Sequence, residues 1–141
     1  MTDIQTQTSQ SVYPAVRYEN AKAAIAWLTS VLGFKEQVVY QGEGDTIAHA
    51  QLEIAGNLIM LGSVKSDSFG SSPKMLGGVT ASIYIAFETA AEIDAVYAQA
   101  KNGGAEVVRE LQDTDYGSHE FSVRDPEGHI WSFGTYRPQA D

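Results

Sequence analysis

The chain has 141 residues, 43% of them hydrophobic and 19% charged, with 18 acidic against 9 basic side chains and no cysteine. That length suits one compact domain, or two fused half-domains sharing a core. The net charge of −9 argues against nucleic acid, and zero cysteines exclude a disulfide framework, a thiolate nucleophile and a thiolate metal site.

The first residues, 1–11, are polar and lack the basic and apolar regions of a signal peptide, so a frayed arm is expected there and a cytoplasmic location fits best. No run of about 18 apolar residues offers a membrane span. Residues 12–18 alternate and are β-rich, which predicts a strand. Asn20 can cap a helix whose apolar positions Ala24, Leu28 and Val31 share a face, with Gly33 as its stop. Three short strands are expected next, over 34–40, 46–54 and 58–61. Residues 63–80, with Phe69-Gly70-Ser71-Ser72-Pro73-Lys74 and Gly77-Gly78, read as a flexible connection, a plain linker or else a mobile flap over a pocket. They lack the spacing of a phosphate loop.

The same order then returns. A strand is expected over 82–87, followed by a helix opened by Thr89 and Glu92 as a capping box. Ile93, Val96, Tyr97 and Ala100 form its buried stripe and Gly103 ends it. Strands over 105–111, 118–124 and 130–133 follow. Asp125-Pro126-Glu127-Gly128 suits a type I turn between the last two. The repeat is visible residue by residue: Val16, Glu19, Asn20, Ala24, Leu28 and Val31 recur at an offset of 69 as Ile85, Glu88, Thr89, Ile93, Tyr97 and Ala100. Gln37-Val38-Val39 recurs as Glu106-Val107-Val108. Residues 56–62 recur as 128–134, with Gly56 matching Gly128 and Gly62 matching Gly134. The protein therefore reads as one βαβββ module duplicated, with modules at 12–62 and 81–136, a linker at 63–80 and a tail at 137–141. A duplicated half-barrel builds its site between copies, at equivalent positions of each.

This pattern, with Leu32-Gly33-Phe34 after the first helix and Asp125-Pro126-Glu127-Gly128 before the last strand, resembles the vicinal oxygen chelate superfamily. That group includes glyoxalase I, extradiol dioxygenases, fosfomycin-resistance enzymes and bleomycin-binding proteins. Residues 121–136 look particularly like its PhnB-like, glyoxalase/bleomycin-resistance branch. The resemblance implies an α+β fold: two tandem βαβββ modules forming cupped mixed sheets, helices outside and a pocket in the cup. It also implies a homodimer. Metal enzymes of the family place ligands, typically two His and two Glu, in the first and last strand of each module. Here the matching positions are Tyr13, Met60, Ser82 and Ser132. A divalent metal needs deprotonated oxygen or imidazole donors, which these residues do not supply. No metal and no cofactor are therefore expected, and the cup is expected to bind a small molecule.

Tyr13, Met60, Ser82 and Ser132 should line that cup. Arg17 and Tyr84 share strand parity with Tyr13 and Ser82 and should face the same way. Arg17 either clamps an anionic group or neutralises an internal Glu. His49, Gln51 and Glu53 alternate opposite an apolar face, so His49 and Gln51 are further pocket candidates. His49 with Glu53, or Glu120, would carry acid–base or relocated-metal chemistry if the chain were an enzyme of lyase, isomerase or dioxygenase type. Adjacent His119 and Glu120 must face opposite sides. His129, just after a turn, is expected to be exposed. Trp131 is expected to pack under the helices. Acidic excess is −3 over residues 1–70 and −6 over 71–141. It serves solubility, or else attracts a cationic small molecule.

Overall fold

The structure, a computed structural model, describes residues 10–67 and 69–140. The arm expected at the start lies, for residues 1–9, outside the described residues. The elements run β1 (Ala15–Tyr18), α1 (Ala21–Val31), β2 (Lys35–Gln41), β3 (Ile47–Ile54), β4 (Asn57–Ser63), α2 (Pro73–Leu76), β5 (Ile83–Ala86), α3 (Ala90–Asn102), β6 (Glu106–Asp113), β7 (His119–Arg124) and β8 (Ile130–Gly134). Two four-stranded mixed sheets result, ordered β1-β4-β3-β2 and β5-β8-β7-β6.

The internal repeat is carried into register. In the first sheet Ala15 stands abreast of Met60 and Arg17 abreast of Gly62, in parallel pairing. In the second, Tyr84 stands abreast of Ser132 and Ala86 abreast of Gly134. These pairs are related by the same offsets as the sequence repeat, so each copy reached the same pairing.

Period-two burial decides which face each residue takes. Ala50, Leu52 and Ile54 of β3 are buried, while the intervening His49, Gln51 and Glu53 are half-buried on the other face. In the second sheet Phe121, Val123, Trp131 and Phe133 form the buried face, as expected for Trp131. Helix α1 packs on β1, β2 and β4, α3 packs on β6, β7 and β8, and the two helices touch each other. The stripe Ala21, Ala24, Ile25, Leu28 and Val31 of α1 is buried. In α3 Ile93 and Ala100 are buried, with Val96 and Tyr97 half-buried beside them. Asn20 caps α1 by accepting from the Ala23 N–H, and the Thr89–Glu92 capping box opens α3 as expected.

What joins the two halves was not read from the pattern. The turn at 125–128 closes as a β-turn, with the Gly128 N–H donating to the Asp125 carbonyl (2.9 Å). Asp125, only 3% exposed, accepts from four donors. Oδ2 takes the Tyr18 hydroxyl (2.6 Å) and the Trp131 indole N–H (3.0 Å), and Oδ1 takes the backbone N–H groups of Glu127 and His129. Burial, then the neighbouring Asp125 charge, pushes the Tyr18 hydroxyl well above its ordinary pKa. Glu127 reaches further into the first module: its two carboxylate oxygens accept from the N–H groups of Glu19 (2.6 Å) and Asn20 (2.7 Å), at the entry to α1. An anion there also complements the positive end of the helix.

The stretch expected as a plain linker is more anchored than its composition implied. Helix α2 within it is capped by Ser72, which is fully buried, and the Lys74 N–H donates to the Glu127 carbonyl. Gly77, at φ 84°, supplies the left-handed residue that ends this short helix.

His129 is not exposed, contrary to expectation. Gly128 turns the chain at φ 101°, and the next residue swings inward. The His129 ring lies edge-on to Tyr18 at 4.8 Å, and its Nε2–H donates to the Arg17 carbonyl (3.0 Å).

Candidate functional site

The face of the first sheet turned away from α1 carries Ala15, Arg17, Met60, Gly62, His49 and Gln51, because register places them in adjacent rows. A pocket of about 300 Å³ opens on this face. Arg17, His49 and Met60, three of the expected residues, line it together with Phe69 and Ser71 of the linker and His129 from the second module. No Asp or Glu is among the lining residues.

The side chains here hold one another in place. His49 Nε2–H donates to Gln51 Oε1 (2.9 Å), and the Gln51 amide in turn donates to Gln37. The ring of Tyr40, on the neighbouring strand, stacks on the His49 ring at 6.3 Å between centroids. The Arg17 guanidinium lies over the Phe69 ring at 5.0 Å. Its nearest acid is Asp67, with Oδ1 at 3.6 Å from Nη1. The Glu that Arg17 could have neutralised inside the fold is therefore not there. Glu53 does not join His49: its carboxylate accepts from the Gly56 N–H at the β3–β4 turn.

The remaining expected residues lie elsewhere. Tyr13 and Ser82 precede β1 and β5, so Ala15 and Tyr84 stand abreast of Met60 and Ser132 in their place. The Tyr13 hydroxyl donates to the Gln10 carbonyl. Ser82 is exposed and lines a separate pocket of about 180 Å³, with Val16, Ser71 and His129. Ser132 is hydrogen-bonded to Ser122 (2.7 Å) on the second sheet. Tyr84 is on that sheet too, its hydroxyl donating to the Tyr136 carbonyl. A Cβ on Gly134 would come within 2.6 Å of this hydroxyl, so glycine is what lets Tyr84 lie flat across β8.

His119 and Glu120 do face opposite sides. Glu120 accepts from the Tyr116 hydroxyl (2.9 Å), beside Tyr84. His119 turns to the helix side, where Nε2 meets Asp94 of α3 (2.6 Å) and Nδ1 meets Asp113 of β6 (2.8 Å). Hydrogen bonds to Asp94, then Asp113, raise its pKa above the ordinary 6.5. A raised folded pKa stabilises the fold fully below the unfolded value and loses that contribution as pH climbs through the folded one. Thermal melts should therefore show wild type exceeding His119→Gln most below about pH 6.5. The gap should close toward alkaline pH. A gap that does not change with pH would show that the imidazolium is not the stabilising form.

Phe69 and His129 were missed as pocket residues, and Tyr40 as the ring that stacks on His49. Phe69 carried a signal, a lone aromatic in a Gly/Ser-rich stretch. Tyr40 stands opposite His49 only because β2 bulges between Glu36 and Val38. His129 needed the turn geometry.

The family model described as the glyoxalase/bleomycin resistance protein/dioxygenase superfamily matches residues 10–133. The chain belongs to that superfamily. Among curated relatives, the uncharacterized protein Mb0911c of Mycobacterium bovis is 32% identical over 124 residues, covering 86% of this chain and 80% of the relative. Of solved structures, TioX from Micromonospora sp. ML1 is similar at 26% identity and a TM-score of 0.71, covering 94% of this chain and 100% of TioX. A PhnB protein from Bacillus cereus, described as a putative 3-demethylubiquinone-9 3-methyltransferase, superposes at a TM-score of 0.61. It shares 20% identity over 88% of this chain and 98% of its own. The two solved structures share the fold of this chain. No helix among the described residues is long and apolar enough to cross a membrane.

Proposed function

We propose that this superfamily member binds a small, flat aromatic molecule in the pocket of the first sheet and holds no metal there. The observation that carries the reading is the lining of that pocket: an open space of about 300 Å³ walled by Phe69, His49 and the thioether of Met60. Aromatic rings and a polarisable sulfur suit a planar ligand, and a few polar groups suffice to orient it. Tyr40 behind His49 makes that wall stiff.

The donor chemistry supports the metal-free part. The family's ligand positions hold a phenol, a thioether and two hydroxyls, and a divalent ion is poorly served by that set. Two of these groups are already engaged, the Tyr13 phenol with Gln10 and the Ser132 hydroxyl with Ser122. Among the described residues no group of three His, Asp or Glu is placed to hold an ion. The overall charge of −9 would steer cations to the protein at long range, but the pocket wall itself carries no carboxylate, so the aromatic class is preferred to the cationic one. A homodimer, with the open faces of two chains opposed, would complete such a cup.

The reading is tested by metal analysis together with thermal shift. Tag-free protein purified without chelator and exposed to nickel, zinc, manganese and ferrous iron should retain well under one equivalent after desalting. A planar ligand at 100 times its dissociation constant should stabilise the fold by about 2.7 kcal/mol. Retention near one metal per chain would sink the metal-free reading and direct the search to enzymatic turnover. A panel of planar aromatics that leaves the melting temperature unmoved would sink the aromatic one.

A further inference from the structure

Arg17 is out of balance with its surroundings. Its side chain is 16% exposed, yet Nη1 is buried and makes no hydrogen bond. Among the described residues the guanidinium meets no acceptor within hydrogen-bond distance. Asp67, itself 46% exposed, stops at 3.6 Å. A guanidinium has five N–H donors, and a largely buried charge without acceptors is costly. Such a group persists where something absent from the free chain completes it.

The surroundings state what that something is. Phe69 covers one face of the guanidinium, which leaves the edge, where the N–H groups lie, as the part free to bond. Arg17 lines the pocket, and the other titratable side chains lining it are His49 and His129. Neither is an acid. In a chain with twice as many acidic as basic groups, the wall of this pocket carries a cation and no acid, the nearest carboxylate being that of Asp67 outside the lining.

We propose that the first-sheet pocket takes an oxyanion carried on a flat ring, an aromatic carboxylate or an aryl phosphate. The edge of Arg17 grips the anion as a fork, and Phe69, His49 and Met60 enclose the ring. The match of the planar fork to a planar, doubly accepting anion is the strongest of the charge-assisted hydrogen bonds. Asp67, beyond hydrogen-bond distance and nearly half exposed, yields to the incoming anion. This inference rests on the aromatic-ligand reading above and adds to it the sign of the ligand.

Calorimetric titration of the full chain with matched probes decides it: benzoate, phenyl phosphate, benzamide, benzylammonium and inorganic phosphate. Benzoate or phenyl phosphate should bind at least tenfold more tightly than neutral benzamide, and benzylammonium should be weakest. Whichever of the two anions binds more tightly identifies the headgroup. Inorganic phosphate should bind more weakly than phenyl phosphate, because it lacks the ring. Arg17→Met should abolish the preference for the anions over benzamide. Arg17→Lys, which keeps the charge and loses the fork, should retain only part of that preference. A merely structural Arg17 would instead show its loss in the melting temperature, whereas Arg17→Met should leave that temperature unchanged or raised. Equal affinity for benzoate and benzamide, or full benzoate binding by Arg17→Met, would overturn the proposal. Preference for benzylammonium would overturn it while leaving the aromatic pocket standing. Binding by none of the aromatic probes would overturn both.

Discussion

Asp125→Ala should lower the melting temperature by roughly 10 °C or more, the loss expected when a buried carboxylate with several donors is removed, about 3–5 kcal/mol. Four donors lose their acceptor at once: the Tyr18 hydroxyl, the Trp131 indole and the N–H groups of Glu127 and His129. Each buried donor left alone costs about 1–3 kcal/mol, and relaxation toward water recovers part of that. Tyr18 belongs to the first module and Trp131 to the second, so the variant also loosens the two halves from each other. Asp125→Asn should fall between wild type and alanine, since one amide oxygen still accepts while the NH2 confronts donors. Calorimetric melts of the three proteins check the order. Equal melting temperatures for wild type and Asp125→Ala would show that water or repacking replaces the carboxylate.

Trp131→Ala should cost about 3–5 kcal/mol, as for other large aromatic truncations in a packed core. The side chain is fully buried. It meets Phe34 of the first module edge-on at 5.4 Å, so the cavity would open between the halves. Trp131→Phe separates shape from hydrogen bonding. It keeps much of the ring and deletes the indole N–H, leaving Asp125 Oδ2 with the Tyr18 hydroxyl. Urea denaturation should show that Trp131→Phe costs less in an Asp125→Ala background than in wild type, because the bond it breaks is already gone. Strict additivity would mean that the indole–carboxylate bond contributes nothing. Binding should weaken with stability in these variants, since His129, placed by the same turn, lines the pocket.

Local physics made most of the architecture readable before any coordinates. The α1 stripe Ala24, Leu28, Val31 repeats at helical spacing, and the β3 alternation of apolar and polar residues repeats at two. Burial follows both patterns. Strand ends moved by a residue or two, and by three at β1, which starts at Ala15 rather than at position 12. The reason is Pro14, which has no N–H to contribute to a ladder. The duplication was legible because equivalent positions face equivalent environments in each copy. It matched Met60 with Ser132, which stand at equivalent places in the two sheets, abreast of Ala15 and Tyr84 rather than of Tyr13 and Ser82.

The pocket was legible only in part. Arg17, His49 and Met60 could be placed by strand parity, since parity is a property of the chain alone. Phe69 and His129 could not, because they arrive from a loop and a turn whose paths depend on contacts far away in sequence. The reversal of Glu127 toward Glu19 and Asn20, across more than a hundred residues, brings His129 beneath Arg17. Asp125 likewise reads as a turn former, and becomes the buried junction of two modules only when Tyr18 and Trp131 converge on it. Sequence by itself determined the repeated units, their faces and the family, because periodicity and capping act over a few residues. The tertiary structure decided which side chains share a pocket and the sign of its charge, because hydrogen bonds and ring contacts between modules set those distances.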